Sequence, residues 1–346
     1  MFLLFLVSMS ILFYLYVWYI IIIWILAKLQ SNKILLDDSY EPIITVMVPV
    51  KNEEFTIEEK INNIFLCDYP KDKLHVLIMD STSDDDTQKI VSKYISDWVQ
   101  LEVVPHKGKA FAMQVWIDQY AKWEIIISTD ANAYFKKDTL RKIVRNYADP
   151  SVWWVTGAML QIDKSGTVES KWWDLYWRIE KFIRICETKF HSVITMSWEL
   201  TSFRKELVKN KKWYFKWDPD DFDLSMFVVR QWYRLIYETE AFVYEKAPDT
   251  ASDVEKQKVR IIVQTMSAFT HYFSMLFKWK YGFILFSHKL LPLLSPILLI
   301  ILFISNIFLL SYLIFQIILV VQVVFYTAYI FKINKSFLKI TNFFIF

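Results

Sequence analysis

Two cysteines, Cys67 and Cys186, are too few for a disulfide framework and suit a reducing compartment. The 5 histidines occur at no metal-ligand spacing. The lysines and arginines lie among acidic neighbours rather than in a stripe, and the net charge of +3 is unremarkable, which removes nucleic acid from the partners to consider. Glycine is down to 4 residues, where ordinary usage is about 7% of a chain. The longest absence is of charge itself. No charged side chain occurs from residue 1 to 27, and none from Leu290 to Phe331.

What occupies those stretches is apolar. Hydrophobic residues make up 55% of the chain and aromatics 18%, too much for an ordinary soluble enzyme, and this points to a membrane protein with a folded middle. An apolar helix of about 20 residues crosses the hydrocarbon core, so residues 1–29 are expected to be a transmembrane helix. A cleaved signal peptide is the alternative, but the basic start, short apolar run and small-residue cleavage site it needs are missing. Residues 286–332 are long enough for two further crossings, a helical hairpin with its reversal at Ser305-Asn306 or Ser311. Lys28, Lys33, Lys278, Lys280, Lys289, Lys332, Lys335 and Lys339 flank the three spans and all fall on one side if the middle is cytoplasmic. The closing "TNFFIF" reads as the opening of another span, so the tail 333–346 is expected to belong to a longer reading frame.

Between the spans the pattern changes. "ITVMVP", "LHVLIM", "LEVVP" and "EIIIST" read as buried strands, with "EEFTIEEKINNIF", "DDDTQKIVSKYI" and "KAFAMQVWIDQYA" as helices between them. That alternation predicts a doubly wound α/β sheet over residues 40–255 with mostly parallel strands, whose ligands bind beyond the carboxyl ends of the strands. Lys51-Asn52-Glu53, Asp80, His106-Lys107-Gly108-Lys109 and Asp130-Ala131-Asn132 stand at those ends.

The pieces "VPVKNEE", "MDSTSDDDT", "HKGKAFAMQ", "STDANA", "DPDDFDLSMFVVRQWYRLIYETEAFVYE" and "QKVRI" occur in this order. In that order the chain resembles the membrane-embedded family-2 glycosyltransferases, the group of cellulose, hyaluronan and poly-N-acetylglucosamine synthases, from about residue 43 to about 331. The resemblance implies a GT-A-type, Rossmann-like domain binding a uridine-diphosphate sugar. Pro49, Glu53 and Asp80 then fall near the base and ribose, with Lys107 and Lys109 supplying positive charge; a solvated polar loop is the other reading of the lysines and of Asp80.

A divalent ion, Mg²⁺ or Mn²⁺, takes oxygen ligands and offsets charge growing on a departing diphosphate. Asp130 is the expected donor-site and metal ligand and Asn132, where many relatives carry a second Asp, its partner. The competing role for Asp130 is an N-cap of a helix over "YFKKDTLRKIV". By the same resemblance Asp221 is the catalytic base and Asp220 its neighbour, at a helix N-terminus whose dipole keeps a carboxylate ionised; plain capping is the alternative. Gln257 and Arg260 correspond to the Gln-x-x-Arg-Trp element, with Arg260 clamping the diphosphate and Ile261 where tryptophan stands. A charged flank of an amphipathic helix is the other reading of that pair. Residues 256–285 and "KWWDLYWRIEKFIRI" carry apolar faces fit for an interfacial helix or for packing on the sheet.

The expected activity is inverting transfer from UDP-N-acetylglucosamine or UDP-glucose to a growing β-linked polysaccharide at the bacterial inner membrane, with the lipid bilayer as a partner. Single-sugar transfer to a lipid-linked acceptor, or a degenerate non-catalytic subunit, are the alternatives. Finally, 15 tryptophans face the 4 glycines. Trp123 and Trp232 stand just after helices, at positions that favour the left-handed backbone of glycine. Relatives carry glycine at both, and at Trp198. The pattern is that of a codon written as tryptophan and read as glycine in the source organism, which the codons at these three positions decide.

Overall fold

The computed structural model describes residues 1–103, 123–162, 169–207, 221–246, 262–263, 265–267 and 269–330. Outside them lie the expected helix at 109–121, Lys107, Lys109, Asp220, Gln257, Arg260 and the tail 333–346, together with the side chain of Asp221. The chain divides into two units, one of Met1–Ser31, Ser165–His191 and Phe273–Phe346, the other of Asn32–Lys164 and Ser192–Tyr272.

The second unit is built on the apolar runs. β1 (Ile44–Val50), β2 (Leu74–Asp80), β3 (Val99–Val103) and β4 (Ile125–Ser128) pair in parallel in the order β3-β2-β1-β4. Near-continuous Val and Ile suits strands covered on both faces, and β2 is buried along its whole length. Between them run α2 (Ile57–Leu66) and α3 (Thr87–Ser92). On α2 the buried positions are Ile57, Lys60, Ile61 and Ile64, one stripe at helical spacing.

Beyond β4 the sheet is no longer purely parallel. It continues β7-β6-β8-β5, with β7 (Thr201–Arg204) antiparallel to β4 and β6, and β5 (Ala133–Phe135) antiparallel to β8 (Arg234–Lys246). β6 (Val152–Ile162) pairs with β8 in parallel. β5 stands directly after the Asp130 turn, where the competing reading of Asp130 as an N-cap places a helix. Its three residues pair with Val243 to Glu245, and α4 (Thr139–Val144) begins only after Asp138. α6 (Asp221–Arg230) precedes β8.

The first unit is helical. α1 (Phe2–Leu29) is the helix among the described residues that is long and apolar enough to cross a membrane alone. α5 (Glu169–Phe190) extends the aromatic stretch at 171–185 in both directions. The helix expected over 256–285 is broken: a 3-10 turn at Phe273–Phe277 ends it, and α7 starts afresh at Trp279 and runs to Leu293. At Leu294 the chain bends by 57° into α8 (Ser295–Ile307), where Pro292 and Pro296 interrupt the backbone ladder. α9 (Leu313–Ile330) follows a turn. Phe5, Leu12 and Leu15 of α1 are buried with Leu291, Leu302 and Phe315.

Polar side chains are buried in this helical unit as well. The Tyr19 hydroxyl donates to Glu187 at 2.8 Å, and His288 bonds Glu187 through Nδ1 at 2.6 Å and Glu180 through Nε2 at 3.2 Å. Arg184 donates to Glu180 at 2.8 Å. Two π-helical turns among the described residues, Tyr14–Trp18 and Phe286–Leu290, join this region, linked by a 2.7 Å bond between Tyr14 and Ser287.

Candidate active site

The carboxyl ends of β1 and β2 carry two loops laced to each other. The Asn52 N–H donates to the Ser83 hydroxyl at 2.9 Å and the Asp84 N–H to Asn52 Oδ1 at 3.1 Å; Glu53 N–H donates to Thr87 Oγ1 at 2.8 Å. Asn52 and Thr82 both take φ 57°. Asparagine tolerates this left-handed backbone, whereas a β-branched threonine there is strained. Pro49 is half-buried near the end of β1, beside Met79 of β2. Glu53 receives the Thr56 hydroxyl at 2.5 Å at the start of α2. Asp80 is fully buried, and its carboxylate receives the N–H and hydroxyl of Ser83 and the side-chain amide of Gln88. In this structure Asp80 shapes the loop that follows β2.

Asp130 stands beyond β4 in the turn between β4 and β5, half-buried. It caps no helix, because β5 intervenes. The backbone turn closes by Ala133 N–H on Asp130 C=O at 3.2 Å. Asn132 donates its amide to Glu245 Oε1 of β8 at 3.0 Å, which leaves Oδ1 as the face of the amide able to act as an oxygen ligand. Burial raises the Glu245 carboxyl above its usual range, with the Asn132 bond opposing and the nearby Asp130 charge adding to it. Glu245 was not among the residues expected at the site. Its signal in the sequence was faint, a charged residue at the end of a strand reached only through the β5–β8 pairing.

Asp130, Asn132 and Glu245 form a set of hard oxygen donors, which fits Mg²⁺ or Mn²⁺ rather than a soft metal. Among the described residues no group of three or more His, Cys, Asp or Glu side chains fit to hold a metal occurs. A cation held here therefore keeps waters and substrate oxygens in its shell, as such ions do with one or two carboxylates.

The segment 196–200 ties this turn to α6. The Thr129 hydroxyl donates to Glu199 C=O at 2.8 Å, and the Met196 N–H donates to the buried Ser225 hydroxyl at 3.2 Å. Ser197 N–H donates to Thr156 at 2.9 Å. Asp221 is the first residue of α6, one turn before Ser225. The turn that carries Asp130 and the second turn of α6 are thus both bonded to residues 196–200, among which is half-buried Trp198.

Of the other tryptophans in question, Trp123 lies against His75 with ring centroids 5.2 Å apart, and Trp98 meets the same imidazole at 4.7 Å. Trp232 has φ 68°. Positive φ outside glycine is confined, among the described residues, to Asn52, Thr82 and Trp232.

Residues 45–210 match the model of Glycosyl transferase family 2. A poly-beta-1,6-N-acetyl-D-glucosamine synthase of Staphylococcus aureus is 27% identical over 223 residues, which is 63% of this chain and 53% of that protein. The chain thus spans little more than half the length of that relative. A beta-monoglucosyldiacylglycerol synthase of Synechocystis sp. is 33% identical over 115 residues, 32% of this chain and 24% of that protein. In fold, the chain is similar to a mannosyltransferase of Pyrobaculum calidifontis determined with GDP-Man and Mn²⁺. The TM-score is 0.72 at 23% identity, over 98% of this chain and 95% of that one.

Proposed function

We propose that this glycosyltransferase, whose sheet carries a family-2 domain over residues 45–210, moves a sugar from a UDP-sugar to a growing β-linked polysaccharide at a membrane. The observation that carries the reading is the common anchorage on residues 196–200 of the Asp130 turn and of Ser225, one turn beyond Asp221 on α6. UDP-N-acetylglucosamine and UDP-glucose are the donors to try first, the former supported by similarity to the poly-N-acetylglucosamine synthase.

The chain's own part in the reaction follows from these positions. Asp221, the first residue of α6, takes the proton from an acceptor hydroxyl. The hydroxyl oxygen attacks the anomeric carbon opposite the diphosphate, the carbon–oxygen bond to the diphosphate breaks, and the configuration inverts. Asp130 and Asn132, with Glu245 behind the amide, would hold Mg²⁺ or Mn²⁺ against the diphosphate oxygens. That ion supplies compensation for the negative charge gathering on the leaving group. Lys107, Lys109, Gln257 and Arg260 complete the donor site in this reading, with Asp220 beside the base. Residues 1–29 and the two C-terminal apolar stretches anchor the protein in the inner membrane with the sheet on the cytoplasmic side, which the placement of lysines supports.

A second reading is transfer of one sugar to a lipid, favoured by the similarity to a diacylglycerol-glycosylating enzyme. Membranes containing the protein, given labelled UDP-sugars with Mn²⁺, separate the two. Polymer is expected; a glycolipid product would select the second reading, and no product with any donor would leave a non-catalytic subunit. Asp221→Asn and Asp130→Asn should each lower turnover by about 10²- to 10⁴-fold. An Asp221→Asn variant as active as the parent would remove the base assignment.

A further inference from the structure

Every buried position on α2 but one is isoleucine. The exception is Lys60, with 0% of its surface exposed. A lysine is almost never fully buried unless its ammonium finds partners, and those partners identify what it does. Nζ donates to the Thr129 hydroxyl at 2.9 Å and to the Ala133 carbonyl, and lies 4.1 Å from the centroid of the Phe135 ring. Thr129 immediately precedes Asp130-Ala131-Asn132 and Ala133 immediately follows it. One side chain, reaching from a neighbouring helix, therefore ties together both ends of the turn that presents Asp130 and Asn132.

Packing alone does not call for this arrangement. Burying an ammonium is costly, and a methionine of similar length would fill the space beside Ile61 and Ile64 without that cost; what the lysine adds is its bonds to both ends of the turn. Burial pulls the Lys60 pKa down to about 7, against the upward pull of Cys67 and Asp130. The two bonds to oxygen need only two N–H groups, which ammonium and amine both have, so the tie holds on either side of that value.

We infer that Lys60 is a positioning residue for the divalent ion and the donor diphosphate, fixing the direction of Asp130 and Asn132 by clamping Thr129 to Ala133. Its hydrogen bonds go to Thr129 and Ala133, so it acts through the turn. This inference rests on the proposed role of Asp130 in holding the ion. Groups bonded directly to a metal ligand typically matter by about 10- to 100-fold in metal affinity; Lys60 acts one bond further out, through Thr129 and Ala133, so an effect of about 10-fold is expected.

The test compares Lys60→Met, Thr129→Val and Asp130→Asn in the full-length protein in detergent, reading Mn²⁺ binding by electron paramagnetic resonance, melting temperature, and KM for the donor against kcat. Lys60→Met leaves the Ala133 carbonyl without this donor and is expected to melt lower than the parent, but its folded form should bind Mn²⁺ about 10-fold more weakly and show a raised donor KM. Thr129→Val, which keeps the lysine and removes one of its two oxygen partners, should weaken Mn²⁺ binding in the same direction, and it decides the matter if Lys60→Met does not fold. A merely structural lysine would lower the melting temperature and leave Mn²⁺ affinity of the folded protein unchanged; that result overturns the inference. If Asp130→Asn also binds Mn²⁺ like the parent, the metal reading of the turn itself fails. If Asp130→Asn loses the ion while Lys60→Met and Thr129→Val keep it, only the role of Lys60 falls.

Discussion

At the scale of single residues, the backbone at position 232 is the plainest conflict between a side chain and its place. α6 ends at Arg230, the Trp232 N–H returns to Val229 C=O at 3.0 Å, and the residue sits at φ 68° with 79% of its surface exposed. A side chain in that conformation costs about 1–2 kcal/mol, and the exposed indole recovers little of it by burial. Trp232→Gly should therefore raise stability by about 1 kcal/mol, read as a rise in melting temperature. Trp154 is the contrast: it is fully buried, and its indole N–H donates to Thr201. Its removal to glycine would open a cavity and lower stability by several kcal/mol, on the order of 3–5. Gly157 is a position that needs glycine, since an added Cβ would come within 2.9 Å of the Ala241 carbonyl oxygen. Position 232 was legible in the sequence because a helix stop has a known chemistry. Thr82, just as left-handed, was not, since its φ is imposed by the lacing of two loops distant in sequence.

At the scale of elements, the strands easiest to read were those with long apolar runs whose partner comes next in the chain. β1 and β2, seven residues each and paired with one another, are of this kind, while the four-residue β4, paired with β1 and β7, showed itself by its unbroken run of isoleucine. β5 and β7 are three and four residues long, too short for periodicity to register, and both take their pairing from partners far away in sequence. Glu245 escaped notice for the same reason. The region after α4 shows how such distant elements are fastened. Arg145, almost wholly buried, donates to Glu238 of β8 through Nε at 3.2 Å and Nη2 at 3.1 Å, with Asn146 on the same carboxylate at 3.0 Å. Removing one partner of a buried pair strands the other charge, at a cost of about 3–5 kcal/mol. Arg145→Ala should lower the unfolding free energy by that much, read from the denaturant midpoint and slope, while Lys89→Ala, breaking an exposed pair with Asp86, should leave it nearly unmoved.

At the scale of the whole molecule, composition alone separated apolar ends from an α/β middle, because the absence of charge over long runs is a signal that needs no alignment of partners. What composition did not show is that residues 165–191, in the middle of the chain, group with the terminal helices. An amphipathic helix looks the same whether its apolar face meets a sheet, a bilayer or another helix. The polar side chains of α5 that meet Tyr19 and His288 declare themselves only once the helices are brought together. Those contacts mean that the first helix is not interchangeable with any other apolar segment of equal length. A chimera carrying a foreign anchor, all leucine and alanine, would still partition into lipid, yet Glu187 would be left short of a donor inside a dry bundle. Tyr19→Phe makes the same change with the loss of one oxygen atom, and a fall of about 1–3 kcal/mol in the stability of the detergent-solubilised protein is the expected result.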